Sequence, residues 1–495
     1  MMRLVLSTSN SEVMMLKKVM AILLLAAIII CSVSSISYVL ENKESRSRYS
    51  SFFKEENDID VLFIGSSHVR HGFFPMELWN DYGITAFNLA ANGSTIPVSY
   101  WVLVNALDYK TPKVVVMDVY DLEPRVITSD SGQVHEQMDA FPLTKNKVLM
   151  INDLFDKKNL TEETINSDAY DLYDKKYTLI WPFSEYHTRW NDIGEYDFIS
   201  KDELLKQSAT WKGSSPLFGL ATRQERKYDS DTSKYVFDDL SEKYLMKMID
   251  LCNQKDISLV LINTGYDCND TSKLFVDSVP ELAQKKGLPY LDFTQMDIID
   301  FSCDLFSTGE NTHVNFSGAE KFTSYIGEYL NANYNLEDHR KDINFKKWDN
   351  DYGMFKESKI KYLKESTSLK EYLMYMADDD YQAIFEIVNP SILNDEKTKN
   401  QLANLGVKIS EMGDLTNMIV IDIKNREADC LTYDINTVFN TVLGDIGAFS
   451  SSEWNSYGLY RDGNELKVQE NEAGCSLRIT VIDRSDGNII DTHDF

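Results

Sequence analysis

The stretch that most constrains this chain is Val61 to Gly72, VLFIGSSHVRHG, where a continuous apolar run stops at a glycine followed by two serines and a histidine. Val61, Leu62, Phe63 and Ile64 are unbroken, β-prone and too few for a helix. They read as a strand buried on both faces, as in a parallel sheet. Gly65 ends the strand, and a small polar turn directly behind it places side chains at the carboxyl edge of the sheet, where open α/β folds keep their sites. Ser67 is therefore a candidate nucleophile. The competing expectation is an ordinary N-cap serine in a strand-to-helix turn.

A second polar block, Gly309 to Thr323, reads GENTHVNFSGAEKFT. Glu310 stands three residues before His313, and Asn315 and Ser-Gly-Ala then open a helical pattern. With Ser67 these residues supply a nucleophile, a general base and an acid to fix the imidazole, the set that acyl transfer requires on unrelated folds.

On these residues the chain resembles the SGNH (GDSL-type) hydrolase superfamily. Gly65-Ser66-Ser67 matches its first block and Glu310-Asn311-Thr312-His313 its last, with HVNFSGAEKFT as a typical continuation. NLAANGST resembles the second block, whose glycine, here Gly93, gives an oxyanion-hole amide beside that of Ser67. The third block departs: after VVVMDV the chain carries Asp118-Val119-Tyr120-Asp121, without the family's Asn. Tyr120, Asn88 and Asn92 are the alternatives for the missing donor. The GSSH variant is similar to a membrane-anchored bacterial subgroup tied to surface polysaccharides, including acetyltransferases. The resemblance covers about Asp58 to Asn333. It implies a doubly wound, flavodoxin-like parallel sheet and a catalytic set of Ser67, His313 and Glu310, and it calls for no cofactor.

The chain has 495 residues, more than one core usually serves, so two or more domains are expected. A formal charge of −28 argues against a nucleic-acid partner, whose phosphates need a basic face. Residues 1–18 are polar and end in Lys17 and Lys18. Val19 to Leu40 is a hydrophobic run whose first half is dominated by Leu, Ile and Ala, and its 22 residues span about 33 Å as a helix, enough for a bilayer core. The lysines place the N-terminus in the cytoplasm, which makes a single-pass signal anchor with the bulk outside; a cleaved signal peptide is the other reading.

Residues 41–57 have the composition of a stalk or amphipathic lead-in. From Asp58 the strands FIG, AFNLA, VVVMDV, ISLVLIN and PYLDFT alternate with helical stretches, and 58–335 forms the α/β domain. Within it, 122–238 is expected as an insertion over the sheet's edge. That insertion holds His135, His187, Arg189, Trp181, Tyr186 and Trp190, which suit either a sugar site or aromatic packing on a core. His187, Arg189 and Trp190 are the substrate-binding candidates, along with His68 beside the nucleophile.

The cysteines show no zinc spacing, and no metal is called for. Cys268 with Cys303 and Cys430 with Cys475 are possible disulfides, free buried thiols the alternative. Asp378-Asp379-Asp380 reads as a solvated turn or as a weak cation site. Residues 336–368 look like a linker helix or connector. Beyond them, 369–495 is β-rich, and EYLMYMADDDYQAIFEI, QLANLGVKI and GCSLRITVIDRSDGNIIDTHDF resemble the interleukin-like EMT inducer domain. This implies a non-catalytic module for a glycan or protein ligand.

Together these readings lead to a membrane-tethered, extracytoplasmic esterase or O-acyltransferase whose partner is a surface polysaccharide or other acylated glycan. The rival of another class is a degenerate glycan-binding or assembly scaffold that keeps the fold.

Overall fold

The apolar quartets and quintets of the sequence become the strands of one parallel sheet in the computed structural model. It describes residues 10–41, 43–122, 130–221, 239–265, 270–307, 312–413, 415–432, 434, 436–450, 456–470 and 475–495. The chain divides into two compact units, one formed by 1–50 with 128–207 and the other by 51–127 with 208–495.

In the larger unit the strands are β1 (Val61–Ile64), β2 (Ala86–Asn88), β3 (Val114–Asp118), β4 (Ser258–Asn263) and β5 (Tyr290–Asp292). Their order is β2-β1-β3-β4-β5, and every neighbouring pair is parallel. β1 lies inside the sheet with all four residues buried, which is why its sequence does not alternate. A fully buried side chain of this size stabilises by about 1.5–3 kcal/mol. Chain direction across the sheet reverses between β1 and β3, so the carboxyl end of β1 is the switch point at which such sheets open a crevice.

Helices α3 (Ser67–Gly72) and α4 (Pro75–Tyr82) pack with the helix Phe316–Asn333, whereas α5 (Ile96–Ala106) packs with Asp239–Gln254. The segment expected as a connector contains the helix Lys346–Glu365, which lies on α4 and buries Trp348, Phe355 and Leu363.

The C-terminal part is antiparallel. Strands β6 (Tyr381–Ile387), β7 (Met418–Asp422), β8 (Glu427–Leu431), β13 (Leu477–Asp483) and β14 (Ile489–Asp494) form a sheet ordered β14-β13-β6-β7-β8. β9 (Val438–Thr441), β10 (Gly444–Ser450), β11 (Ser456–Arg461) and β12 (Asn464–Glu470) form another, ordered β12-β11-β10-β9. Alternation is plain along β6: Ala383 and Phe385 face a core that includes Leu402 and Ile479, while Ile384 faces Ile446 and Leu459. The expected turn RDGN joins β11 to β12 with Asp462 and Gly463 both at positive φ, the pairing of a type I′ hairpin.

The smaller unit contains α1 (Asn10–Leu40), an apolar helix long enough to cross a membrane that begins earlier than the expected Val19. After it comes α2 (Lys43–Lys54). The stretch expected as a stalk or amphipathic lead-in contains this helix, whose Tyr49 is fully buried against Phe141 at 4.8 Å. The helices Ser131–Met138 and Lys145–Leu154 add Met138, Met150, Ile151 and Leu154 to this core.

Cys252 and Cys303 are buried free thiols, and burial pushes Cys252 up to about 12. Cys430 and Cys475 are not bonded to each other, and Cys268 lies outside the described residues. Asp378, read as part of a solvated acidic turn, is instead buried against the Lys359 ammonium at 2.7 Å.

Candidate active site

β1 ends at Gly65, where a Cβ would lie 2.7 Å from the Val69 Cγ2 and 3.0 Å from the Asp118 Cβ. Only glycine lets the first turn of α3 come this close to the ends of β1 and β3. Ser66 occupies the N-cap of α3 without making a side-chain cap bond, and Ser67 is the first residue of the helix. The capping alternative thus falls on Ser66, and the Ser67 hydroxyl is turned to another partner. That partner is His313, whose Nε2 lies 2.7 Å from the Ser67 Oγ across 246 residues of chain.

His313 is held by the rest of its motif. Its carbonyl accepts from the Phe306 amide at 2.9 Å, and Val314 bridges Leu305 in antiparallel fashion. Asn315 caps the following helix through the Gly318 amide at 3.2 Å while its own amide donates to the carbonyls of Cys303 at 2.8 Å and Gly219 at 3.0 Å. Ser317 and Lys321 both bond the buried Asp304 carboxylate. Asn315, Ser317 and Lys321 of HVNFSGAEK are therefore fasteners for one imidazole-bearing turn.

Three further rings surround the pair. His68 lies buried beneath His313, stacked at 4.6 Å between centroids, and meets the Tyr120 ring at 4.5 Å on its other side. Burial, followed by repulsion from His313 and His71, lowers the His68 imidazole to about 3, with a backbone hydrogen bond to Thr312 opposing. It is neutral at physiological pH. His68 is a substrate-binding candidate whose ring is enclosed by His313, Tyr120, the Ser66 hydroxyl at 3.4 Å and the Thr312 backbone. His71 meets His313 edge-on at 5.5 Å. Its Nδ1 bonds the Ser215 carbonyl and so must carry the proton, which leaves Nε2 as the acceptor in the neutral ring. His71 is absent from the sequence-based candidates. Its signal was there: four residues after Ser67, it shares the helical face of the nucleophile.

The chain leaving β2 stays beside β1, since the amides of Leu89 and Ala91 bond the carbonyls of Phe63 and Gly65 at 2.9 and 3.0 Å. Asn92 and Gly93 follow, and Gly93 takes the left-handed conformation, φ +61°, that suits glycine. Asn88 is committed elsewhere: its amide donates to the Val69 carbonyl at 2.8 Å, and its carbonyl accepts from the Ala90 amide. At the end of β3, Asp118 is fully enclosed and accepts from the Thr264 hydroxyl at 2.7 Å and the Tyr120 amide at 3.1 Å. Burial raises it to about 6 against those bonds. Glu310 lies outside the described residues.

His187, Arg189 and Trp190 belong to the smaller unit. His187 Nδ1 donates to the Ser184 carbonyl at 2.8 Å. The Arg189 guanidinium bonds the Leu40 carbonyl and, at 3.1 Å, the Asp197 carboxylate. Trp190 is exposed.

No family model and no curated protein matches the chain. Among solved structures it is similar to a "putative acylhydrolase" from Bacteroides fragilis NCTC 9343, at 12% identity over 58% of this chain and 95% of that one, with a TM-score of 0.26. A likeness of that size carries neither fold nor function across.

Proposed function

We propose that the protein is an SGNH-type serine esterase or O-acyltransferase. The observation that carries this reading is the 2.7 Å contact between the Ser67 Oγ and the His313 Nε2 at the carboxyl edge of the parallel sheet. In the proposed reaction Ser67 Oγ attacks an acyl carbonyl carbon while His313 Nε2 takes the hydroxyl proton. The tetrahedral oxyanion is met by the amides of Ser67 and Gly93, with Tyr120 or Asn92 as the further donor. Collapse breaks the ester bond, His313 returns the proton to the leaving alkoxide, and an acyl-Ser67 ester remains. Water or an acceptor hydroxyl then attacks that ester with His313 again as base. Glu310 is assigned to hold the imidazole Nδ1–H.

The substrate is proposed to be an acyl group, acetyl first among them, on a surface polysaccharide. That choice follows from an anchoring role for α1 with residues 41–495 outside the cytoplasm, and from the resemblance of the GSSH block. The C-terminal β-rich part is assigned a non-catalytic binding role.

The test is to treat the full chain in detergent with a fluorophosphonate and locate the adduct by mass spectrometry. Labelling at Ser67 that disappears in Ser67→Ala supports the enzyme. No labelling, together with no turnover of p-nitrophenyl acetate, overturns it in favour of a scaffold. The third block favours that second reading, because Tyr120 and not an asparagine stands at the place of the family's Asn donor.

A further inference from the structure

The aromatic segment of the smaller unit lies at the end of α1 with its largest rings exposed. The window Val13–Leu40 of α1 is apolar, and its side chains are solvent-facing until the last turn. There the helix becomes part of the fold. The Tyr38 hydroxyl donates to the Ile199 carbonyl at 2.8 Å, Leu40 is buried, and the Leu40 carbonyl accepts from Arg189. Buried Lys43 donates to the Val39 and Glu41 carbonyls at 2.8 and 3.0 Å, so the open carbonyls at the end of α1 are closed by cations. The pieces packed on this end are Phe183–Tyr186 and Glu195–Phe198.

The level of the bilayer follows from this arrangement. After Lys17 and Lys18, residues 19–36 span about 27 Å as a helix, close to the thickness of a hydrocarbon core. The turn 37–40 then stands where the hydrocarbon ends, and whatever grips it stands at the same depth. From the gripping segment Trp181, Trp190, Tyr196 and Phe198 project with 57, 67, 54 and 66% of their surface exposed. Large aromatic rings left uncovered at that depth match the belt that tryptophan and tyrosine form at the membrane boundary, with an apolar body and a polar edge.

We propose that residues 181–198 form an interfacial platform that seats Trp181, Trp190, Tyr196 and Phe198 in the headgroup–acyl boundary of the bilayer that α1 crosses. This rests on the anchoring role of α1 and is independent of the chemistry at Ser67. Arg189 is then a brace between the platform and the end of the anchor, and the platform fixes the height and tilt of its unit above the lipid.

The test uses the full chain in phosphatidylcholine–phosphatidylglycerol vesicles whose phosphatidylcholine carries bromine near the top of its acyl chains. Tryptophan emission is expected to be quenched by the brominated lipid and shielded from aqueous iodide. In Trp181→Phe/Trp190→Phe at least about half of the lipid quench should be lost, because aromatic residues at the boundary are the ones within reach of the bromines. Trp79, Trp101 and Trp348 are buried and contribute little. Vesicle flotation separates the two failures. Protein that floats but is not quenched by bromolipid keeps the anchor and overturns the platform, whether water covers the rings, read as iodide quenching, or a protein partner does, read as shielding from iodide. Protein that does not float overturns both. The wild-type quench decides the question even where the double variant folds poorly.

Discussion

Two clusters of buried polar groups sit in the larger unit, and they differ in what their members still have to offer. Around Ser67 the rings of His68, His71, His313 and Tyr120 converge, and the hydroxyl–imidazole pair at the centre is only half-buried. Around Lys359 three carboxylates converge. Its ammonium bonds Glu77 and lies 2.7 Å from Asp378 and 3.5 Å from Glu320, with Lys359, Glu77 and Asp378 buried and Glu320 partly exposed. The three carboxylates could hold a metal ion by spacing, and the cation among them is the lysine itself. Burial would lower Lys359, yet the surrounding Asp378, Glu320 and Glu77 raise it well above its ordinary value, while burial raises all three acids. A cluster whose donors are all spent on one another holds α4, two long helices and the turn before β6 together. A cluster that leaves a nucleophile beside a base at a sheet edge can do chemistry.

The largest expected effects pull the two clusters apart. Ser67→Ala should lower the turnover of an activated acetate ester by about a thousandfold or more and leave the melting temperature nearly unchanged, since the serine contributes a transition-state bond and little packing. A large loss of stability in this variant would move Ser67 to the structural side of the comparison. Lys359→Met should do the opposite. Stranding three buried carboxylates costs on the order of 3–5 kcal/mol in chemical unfolding, while the protein that remains folded keeps its turnover. Unchanged stability would mean that the acids simply take up protons and that the cluster holds nothing together.

Acidity offers a finer cut. His68 titrates near 3 in the folded chain and near 6.5 when unfolded. Between those values the unfolded state binds a proton that the folded state refuses, so stability falls as pH drops from about 6.5 towards 3. The slope is at most about 1.4 kcal/mol per pH unit for one proton. Other groups titrate in this window, and the raised Asp118 and Glu77 act with the opposite sign, so the measurement is the difference between the wild type and His68→Phe. The variant keeps a stacked ring and should lose the His68 contribution to the slope. Parallel stability curves for the two proteins would show that His68 takes up its proton in the folded state too.

The sequence showed the parallel sheet clearly, because strands enclosed on both faces have to be apolar without interruption, as VLFI, VVVMD and LVLIN are. The helix that follows β4 runs from Asp270 to Lys286 with Pro280 in its interior, where a sequence reading would place a start. The Ser67–His313 pair was legible because its residue types are rare in such turns and each sits at a recognisable boundary. Lys359 was not legible. Its partners Glu77, Glu320 and Asp378 come from three separate elements, and on its own helix it looks like any solvated lysine in KIKYLKE. Tyr49 escaped for a related reason, as three rings in a short, charged, serine-rich stretch do not show what they pack against.

The smallest effect bears on how the imidazole proposed as the base, His313, is oriented. His313 has rings against its face and its edge, and its carbonyl is tied to the Phe306 amide, so packing alone restrains its position. Packing does not choose a tautomer, however, and a base that must accept the Ser67 proton at Nε2 needs its own proton at Nδ1. An acid at Nδ1 supplies that preference, and Glu310, three residues upstream, is the assigned group. Its extra methylene relative to aspartate requires the side chain to fold back towards the ring. Glu310→Gln keeps the shape and removes the charge, so kcat should fall by about tenfold, near 1.4 kcal/mol, with the melting temperature unchanged. The pH profile adds a reading that a merely structural role would not move. Without the carboxylate the imidazolium is less stabilised, and the acid limb of kcat/KM should shift to lower pH. If neither turnover nor the acid limb changes, Glu310 has no part in the mechanism, and the ring cluster orients His313 without a charge.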